Sequence, residues 1–476
     1  YPPAAERLYR QLKCHLLDAW PALMQVASAA DEKGWALYVV GGAVRDLLLE
    51  LLDLTGKPES ATVSAVRSLT DIDLVVDAAN GEANPGENKG AGMALAEIIQ
   101  ASYPQVSVQV YGQFQTASLV WPSPHAAGAE PLRLDIATAR TEFYPYPAAN
   151  PEVEISSIQQ DLYRRDFTIN AMAMRINGKQ PGHLLDFFGG WLDLQQRHIR
   201  VLHANSFIED PTRIVRAARF ATRLNFSLEA QTERFVRSAV SSGIYQRMRL
   251  SEAKTPALQV RLKAELKSLL SADQWEAALA QVADLGGLTC LHSDLTLTPT
   301  LWRQLRRMGR WLAKFEARLT IDQPLWLMRL ELLLAQLTPP ASREAAIQLD
   351  LASPSLHRLS DLHQWEADLH QQLPKAHKLS QRYRLLHRYA SADLLLMSDR
   401  HPYTLGPQIW QYIVQTSQVP ALINGGTLKQ LGYQPGPQFR NILATLHERT
   451  LDGELTSHQA AEKYVLAHYP LNSQPN

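Results

Sequence analysis

Trp35-Ala36-Leu37-Tyr38-Val39-Val40-Gly41-Gly42-Ala43-Val44-Arg45-Asp46 is the stretch from which the rest of the chain is best read. Trp35 to Val40 is a short apolar run, which predicts a buried strand ending at the two glycines. The residues after Gly42 open an apolar helix. A strand, glycine turn and helix in that order leave bare backbone N–H groups and a helix N-terminus facing whatever occupies the turn. A triphosphate suits that place, and Arg45 in the first helical turn would neutralise phosphate charge as well as hydrogen-bond to it. A plain glycine turn with a surface arginine would look the same in isolation.

About 30 residues further on stands Thr70-Asp71-Ile72-Asp73-Leu74-Val75-Val76. Its two carboxylates are separated by one residue at the head of a predicted strand, so the period of two turns both to one side. Such a pair clamps hard divalent cations; two Mg²⁺ ions held this way could activate a 3′-hydroxyl and stabilise a departing pyrophosphate. Asp135, in Leu132-Arg133-Leu134-Asp135-Ile136-Ala137, is the one acid in an otherwise apolar-looking strand and is a candidate third carboxylate. A surface turn is the structural alternative for an isolated acid triplet; following a phosphate-binding turn in the same α/β unit weighs against it.

Two arginine-rich segments follow. Tyr163-Arg164-Arg165-Asp166-Phe167-Thr168-Ile169-Asn170 packs two cations, an acid and an amide into one short span. The arginines would hold phosphates while Asp166 and Asn170 fix ribose hydroxyls or brace the arginines; a helix cap with an ion pair is the structural reading. In Glu209-Asp210-Pro211-Thr212-Arg213-Ile214-Val215-Arg216-Ala217-Ala218-Arg219-Phe220, Asp210 is placed to cap a helix that begins at Pro211. At 100° per residue Arg213, Arg216, Arg219 and Arg223 share about a third of the circumference, opposite an apolar sector. Cytosine and adenine each present an amino donor beside a ring-nitrogen acceptor, so Asp210 accepting and Arg213 donating would read either base and refuse guanine and uracil.

The surrounding chain sets limits. It has 476 residues, 46% hydrophobic and 20% charged, with a formal net charge of zero. That length calls for more than one domain, and zero net charge argues against broad nonspecific nucleic-acid binding. Basic residues are concentrated locally, with eight arginines between Arg213 and Arg249 and a second group at Arg303, Arg306, Arg307, Arg310, Lys314 and Arg318. No uncharged apolar stretch is long enough to span a membrane. Cys14 and Cys290 are too few for a disulfide framework or a CxxC zinc site, so the cytoplasm is the expected compartment. No secretory leader is read, although a start at Tyr1 rather than Met leaves room for residues upstream.

Glu6 to Ala30 reads as helix, and Ile72 to Val76, Val106 to Val120 and Leu132 to Ala137 read as strands. After Trp191 apolar residues recur at helical spacing and β-branched runs disappear. Joints are expected near Gly189-Gly190, Gly286-Gly287, Pro339-Pro340 and Gly425-Gly426.

Taken in order, these segments resemble the class II tRNA nucleotidyltransferases, a family that includes CCA-adding, CC-adding and A-adding enzymes and bacterial poly(A) polymerases. The GG-x-VRD turn followed by DxD matches Gly41 to Asp46 and Asp71 to Asp73; RRDFT-x-N matches Arg164 to Asn170; EDxxRxxRxxRF matches Glu209 to Phe220. The resemblance implies an α/β polymerase-β-like nucleotidyltransferase head followed by an all-α neck, body and tail. On that reading residues 1–35 are an N-terminal helical segment, 36–190 the head, 191–270 a neck with the nucleotide-selecting helix, and 271–476 a body and tail that bind tRNA. Asp71 and Asp73 would bind metal, with Asp135 as the further catalytic carboxylate. Gly41, Gly42, Arg45, Asp46, Arg164, Arg165, Asp166 and Asn170 would form the nucleotide site, and Asp210 and Arg213 the amino-acid template, supported by Arg216 and Arg219. Arg140 matches the arginine that precedes a flexible loop, and Arg261 with Glu265 corresponds loosely to a neck motif. In the tail, Lys429 and Arg440 would meet tRNA phosphates; a helix-packing turn is the alternative.

Two segments depart from the family pattern. Leu51 to Thr70 is longer than usual, and Tyr144-Pro145-Tyr146-Pro147 replaces the commoner loop sequence. The span Thr141 to Gln160 is nevertheless full length, which the resemblance connects with use of ATP as well as CTP. The expected partners are thus the tRNA 3′ end, ATP and CTP, with no membrane and no inferable protein partner. A poly(A) polymerase acting on general RNA is the second reading, and a noncatalytic RNA-binding protein on a degenerate head the third.

Overall fold

The computed structural model of the chain describes residues 2–16, 20–54, 71–78, 90–111, 116–121, 131–143, 152–250, 256–416, 419 and 422–470. It divides into two compact units, Tyr1–Glu265 with Gln274–Cys290, and Leu266–Asp273 with Leu291–Asn476.

The first unit is built on a seven-stranded mixed sheet. In chain order its strands are β1 (Ala36–Val40), β2 (Asp71–Asp77), β3 (Ser107–Tyr111), β4 (Thr116–Trp121) and β5 (Leu132–Thr138). A two-stranded hairpin, β6 (Arg140–Phe143) and β7 (Glu152–Ile155), lies outside that sheet, which β8 (Ala173–Arg175) and β9 (Leu184–Leu185) complete. The spatial order is β3-β4-β5-β2-β1-β8-β9, with only β2 and β5 parallel. The helices α1 (Ala5–Leu16), α2 (Trp20–Glu32), α3 (Gly42–Leu54), α4 (Ala91–Ser102) and α5 (Ile158–Tyr163) pack around it.

Alternation along the strands separates two cores. Leu37, Val39, Ile72, Leu74, Val76, Leu134 and Ile136 join α3 and α4 in one cluster. Tyr38, Val40 and Val75 turn to the other face and pack with Ile158 and Leu162 of α5. Because side chains alternate with period two, Asp73 emerges on the same face as Val75, with leucine and isoleucine neighbours anchoring the opposite face. α4 can press against β5 because it carries Gly92, where a Cβ would stand 2.8 Å from the backbone of Ala137 and Thr138. Buried Asp77 accepts the Ile158 N–H at 2.8 Å, so the end of β2 fixes the start of α5.

The sequence reading needs adjustment at three places. The segment Glu6 to Ala30 forms two helices, since Pro21 sits in the first turn of α2 and cannot occupy a helix interior. Val106 to Val120 forms the antiparallel pair β3 and β4, with Tyr111 opposite Thr116. After Trp191 helix dominates as expected, apart from a two-residue parallel pairing of His198–Ile199 with Ser227–Leu228. The continuation of the first unit comprises α6 (Gly190–Gln196), α7 (Ser206–Glu209), α8 (Thr212–Leu224) and further helices, of which Pro256–Ser271 contributes its first part.

The second unit is helical among the described residues, running from Pro299–Glu316 to His458–His468. Its interior holds an ion triad: Arg358 Nε donates to Asp393 and Nη1 to Glu331, each at 2.7 Å. Ile423, Leu428, Tyr433, Ile442, Leu446 and Val465 form a smaller core at its C-terminal end.

Candidate active site

Gly41 closes β1 with φ +71°, a left-handed conformation that favours glycine. The space a Cβ would fill there is bounded by Arg165 Nη1 at 3.1 Å and Asp73 Oδ2 at 3.8 Å. The turn thus lies between a guanidinium and a carboxylate. Parallel pairing of β2 with β5 sets Asp71 opposite Arg133 and Asp73 opposite Asp135, so Asp73 and Asp135 share a face in register. Asp135 Oδ1 is buried with no hydrogen-bond partner among the described residues, a condition a bound cation would relieve. The backbone of Asp71 heads β2, while its side chain lies outside the described residues. No group of three or more His, Cys, Asp or Glu arranged for a metal occurs among the described residues. The register pair with its orphaned oxygen fits a hard divalent ion, which prefers carboxylate oxygen.

Above this pair opens a cavity of about 970 Å³. Of the residues read from the sequence, Gly41, Gly42, Arg45, Asp73, Arg140, Arg164, Arg165, Asp166, Asn170, Asp210, Arg213 and Arg216 line it. Asp46, Asp135 and Arg219 do not, and each stands behind or beside a lining residue. Asp46 accepts from Arg45 Nε at 2.8 Å, so it supports Arg45 rather than entering the cavity.

The arginines are held by a continuous polar network. Arg45 is 3% exposed and donates Nη1 to Asn170 Oδ1 at 2.7 Å. Asn170 donates to Asp166 Oδ1 at 3.0 Å, and Asp166 Oδ2 accepts Arg216 Nη2 at 2.6 Å. Glu265 then joins Arg216, at 2.6 Å, to Arg219, at 3.0 Å. Burial alone would raise the Asp166 carboxyl, but Arg216 and Asn170 overcome it and hold the group below its ordinary range. The guanidiniums of Arg45, Arg216, Arg219 and Arg223 surround the Phe220 ring at 4.9–5.5 Å, close enough for attraction to its π face.

On the opposite wall Asp161, 0% exposed, accepts from Arg164 at 2.9 Å and Arg165 at 3.1 Å. Burial works against that carboxylate, yet Arg165 and Arg164 keep it below its usual value. Glu142 accepts Arg164 Nη1 at 2.6 Å and lies 3.5 Å from Arg140. Nitrogen atoms of Arg140 (Nε), Arg165 (Nε) and Arg261 (Nε, Nη2) are buried and find no hydrogen-bond partner among the described residues. Unmet buried donors of one sign around one cavity are what an anion site requires.

α8 begins at Thr212, one residue after the expected start, and Asp210 Oδ1 caps the Thr212 N–H at 3.0 Å. Its other oxygen faces Arg261 Nε at 3.8 Å. Arg213 donates Nη2 to the Arg164 carbonyl at 3.0 Å and Nη1 to Ser206, so the two candidate base readers rest on protein partners.

Residues 37–200, which hold this turn and the register pair, match the poly A polymerase head domain family. An A-adding tRNA nucleotidyltransferase of Geobacter sulfurreducens is 31% identical over 91% of this chain, which spans 45% of that longer relative. Another, from Halalkalibacterium halodurans, is 30% identical over 94% of this chain and 92% of its own length. The chain belongs to the tRNA nucleotidyltransferase family. The Thermotoga maritima CCA-adding enzyme complexed with tRNA superposes with a TM-score of 0.68 at 27% identity, covering 98% of each chain.

Several cavity residues escaped the sequence reading of the site: Glu142, Thr212, Phe220, Val260 and Ala264. Glu142 had a signal, since it stands two residues after Arg140 and so shares its side of β6. Phe220 was visible as the end of the arginine motif, but nothing local says that four guanidiniums converge on it. Arg261 and Glu265 are both drawn in, the first toward Asp210 and the second onto Arg216 and Arg219. Lys429 and Arg440 belong to the second unit, on the helices Gly425–Gln430 and Pro437–Leu451. Of the two departures from the family pattern, Tyr144 to Pro147 lies outside the described residues, as does Leu51 to Thr70 beyond the end of α3. No helix among the described residues is long and apolar enough to cross a membrane.

Proposed function

We propose that the chain adds nucleotides from CTP and/or ATP to the 3′ end of tRNA without a nucleic-acid template, as a CCA-adding or A-adding enzyme of the cytoplasm. The observation that carries this reading is the register pair Asp73 and Asp135 beside a cavity walled by Arg45, Arg140, Arg164 and Arg165. The A-adding relatives and the neighbour solved with tRNA support tRNA as the acceptor.

A divalent cation is the cofactor this site suits, and the fuller proposal is two Mg²⁺ ions held by Asp71 and Asp73 with Asp135 beside them. When bound, such ions activate the attacking hydroxyl and stabilise charge on the departing pyrophosphate. The chain's own residues position the nucleotide. Arg164 and Arg165 hold the triphosphate, and Gly41, Gly42 and Arg45 present the turn and first helical turn to it. Asn170 and Asp166 keep Arg45 and Arg216 in place. Asp210 and Arg213 accept from and donate to the Watson–Crick edge shared by cytosine and adenine, with Arg216 and Arg219 braced behind them by Glu265. Arg140 adds charge at the mouth, and Lys429 and Arg440 would meet tRNA phosphates.

The test offers tRNA transcripts ending at the discriminator base, in C, or in CC, with labelled CTP and ATP separately and together. Addition of C, C and A identifies a CCA-adding enzyme; addition of A to CC alone identifies an A-adding one. Long A tracts would replace this reading with a poly(A) polymerase. Use of CTP while ATP is ignored on tRNA ending in CC would overturn ATP as substrate, and no incorporation would leave a noncatalytic RNA-binding protein.

A further inference from the structure

The machinery above leaves an aromatic cluster without a task. Tyr163 ends α5, immediately before Arg164 and Arg165. Its ring lies 5.6 Å from Phe188 and 5.5 Å from His203, tilted 44° and 37° to them, and Phe187 meets Phe188 at 6.2 Å. Tyr163 and Phe187 nevertheless remain 43% and 45% exposed. Phe188 and Leu202 rest on the core of Tyr38, Val40 and Val75, the sheet face on which Asp73 emerges. The cluster therefore has a rigid back on that sheet face and an exposed front, adjoining in the chain the cavity-lining Arg164 and Arg165. Its polar surroundings carry both signs: the next two residues are the cavity arginines, held by Asp161, Arg213 donates to the Arg164 carbonyl at 3.0 Å, and Glu209 lies 3.5 Å from His203 Nε2. Burial and Arg213 hold His203 below its usual value, so its imidazole is a neutral ring at pH 7.

We infer that Tyr163, backed by Phe188 and His203, is the platform on which the unpaired 3′-terminal base of the RNA acceptor stacks. The inference rests on the nucleotidyl-transfer reading above and deepens it. Exposed π faces that adjoin a cavity lined by arginines match an unpaired strand, whose bases need a stacking surface and whose phosphates need cations. The base of the incoming nucleotide has its own readers in Asp210 and Arg213. A protein partner with an apolar side chain would gain nothing from the neighbouring cations.

The experiment compares the unaltered chain with Tyr163→Ala and Tyr163→Trp, using ATP and tRNA ending in CC. A second acceptor is identical except for an abasic 3′-terminal nucleotide. Tyr163→Ala should raise KM for tRNA about tenfold while leaving KM for ATP unchanged, which also shows that the variant is folded. Tyr163→Trp, which keeps a π face, should restore the tRNA KM. On the abasic acceptor the two variants and the parent should coincide, since the base and the ring act as one pair. An unchanged tRNA KM in Tyr163→Ala, or a defect that persists in full on the abasic acceptor, overturns the platform while the transfer reading stands. An unaltered chain that incorporates nothing overturns both.

Discussion

Arg358 in the helical unit and Arg165 in the head are both arginines held by buried carboxylates, yet their surroundings differ in one respect. Arg358, 2% exposed, directs Nε to Asp393 and Nη1 to both oxygens of Glu331, which is 0% exposed. Its charge is consumed where it lies. Arg165 shares Asp161 with Arg164, and its Nε, like nitrogens of Arg140 and Arg261, is buried beside a cavity with no hydrogen-bond partner among the described residues. An unmet buried donor costs about 1–3 kcal/mol, and an anion in the cavity would remove that cost. The same residue types therefore make a strut in one place and a receptor in the other. The distinction lies in whether the donors are matched by acceptors.

The widest gap between the two regions should appear at the carboxylates. Asp73→Ala should lower single-turnover incorporation by about a thousandfold or more, several kcal/mol of transition-state charge stabilisation, with tRNA affinity nearly intact. Activity within about tenfold of the parent would sink the role given to the pair. In the helical unit the expected loss is of stability. Arg358→Ala strands Glu331 and Asp393 without their cation and should cost about 3–5 kcal/mol in urea unfolding, leaving KM for ATP unchanged at temperatures where the chain is folded. A cost below about 1 kcal/mol, as for an exposed pair, would show that the triad is no strut. Arg164→Ala should sharpen the contrast by doing the reverse. It leaves Asp161 paired with Arg165, so stability should change little, while KM for ATP should rise about 10- to 100-fold through lost charge-assisted hydrogen bonds.

Much of this was legible because it is local. The glycine turn, the strand that carries Asp73, and the arginine face of α8 each depend on residues within one or two elements. What the sequence could not display was pairing across distance. Asp135 stands opposite Asp73 only because β2 and β5 align in parallel, and a shift of one residue would turn it to the other face. Asp46 resembled a cavity residue by motif, but its carboxylate is taken by Arg45. The split of the Glu6 to Ala30 helix was foreshadowed by Pro21, whose missing N–H places it at a helix start. The triad of Glu331, Arg358 and Asp393 joins three separate helices, so no single segment announced it.

The gentlest difference between the two regions concerns acid. In the head, Asp161 and Asp166 titrate below their ordinary value of 3.8 in the folded chain. They contribute stability that is fully present above that value and is lost as the pH falls through the depressed folded values. In the helical unit burial acts in the opposite direction. It raises Glu331 and pushes Asp399 from 3.8 up to about 6, even with Arg307 Nε at 2.7 Å. A carboxyl raised on folding binds more protons in the native state between those two values, so stability there falls as the pH rises. Acidification from pH 7 to about 5 should therefore protect the helices around Asp399, while the head, where the depressed His203 and the raised Glu209 act in opposite senses, changes less, and below about pH 4 Asp161 and Asp166 should weaken it. Peptide-resolved hydrogen exchange, corrected for the intrinsic pH dependence of exchange, would read the two regions separately. Asp399→Asn should flatten the response of the helical unit. A loss of protection in that unit on going from pH 7 to 5 would mean that Arg307 keeps Asp399 charged, and that the body's ion pairs behave like those of the head.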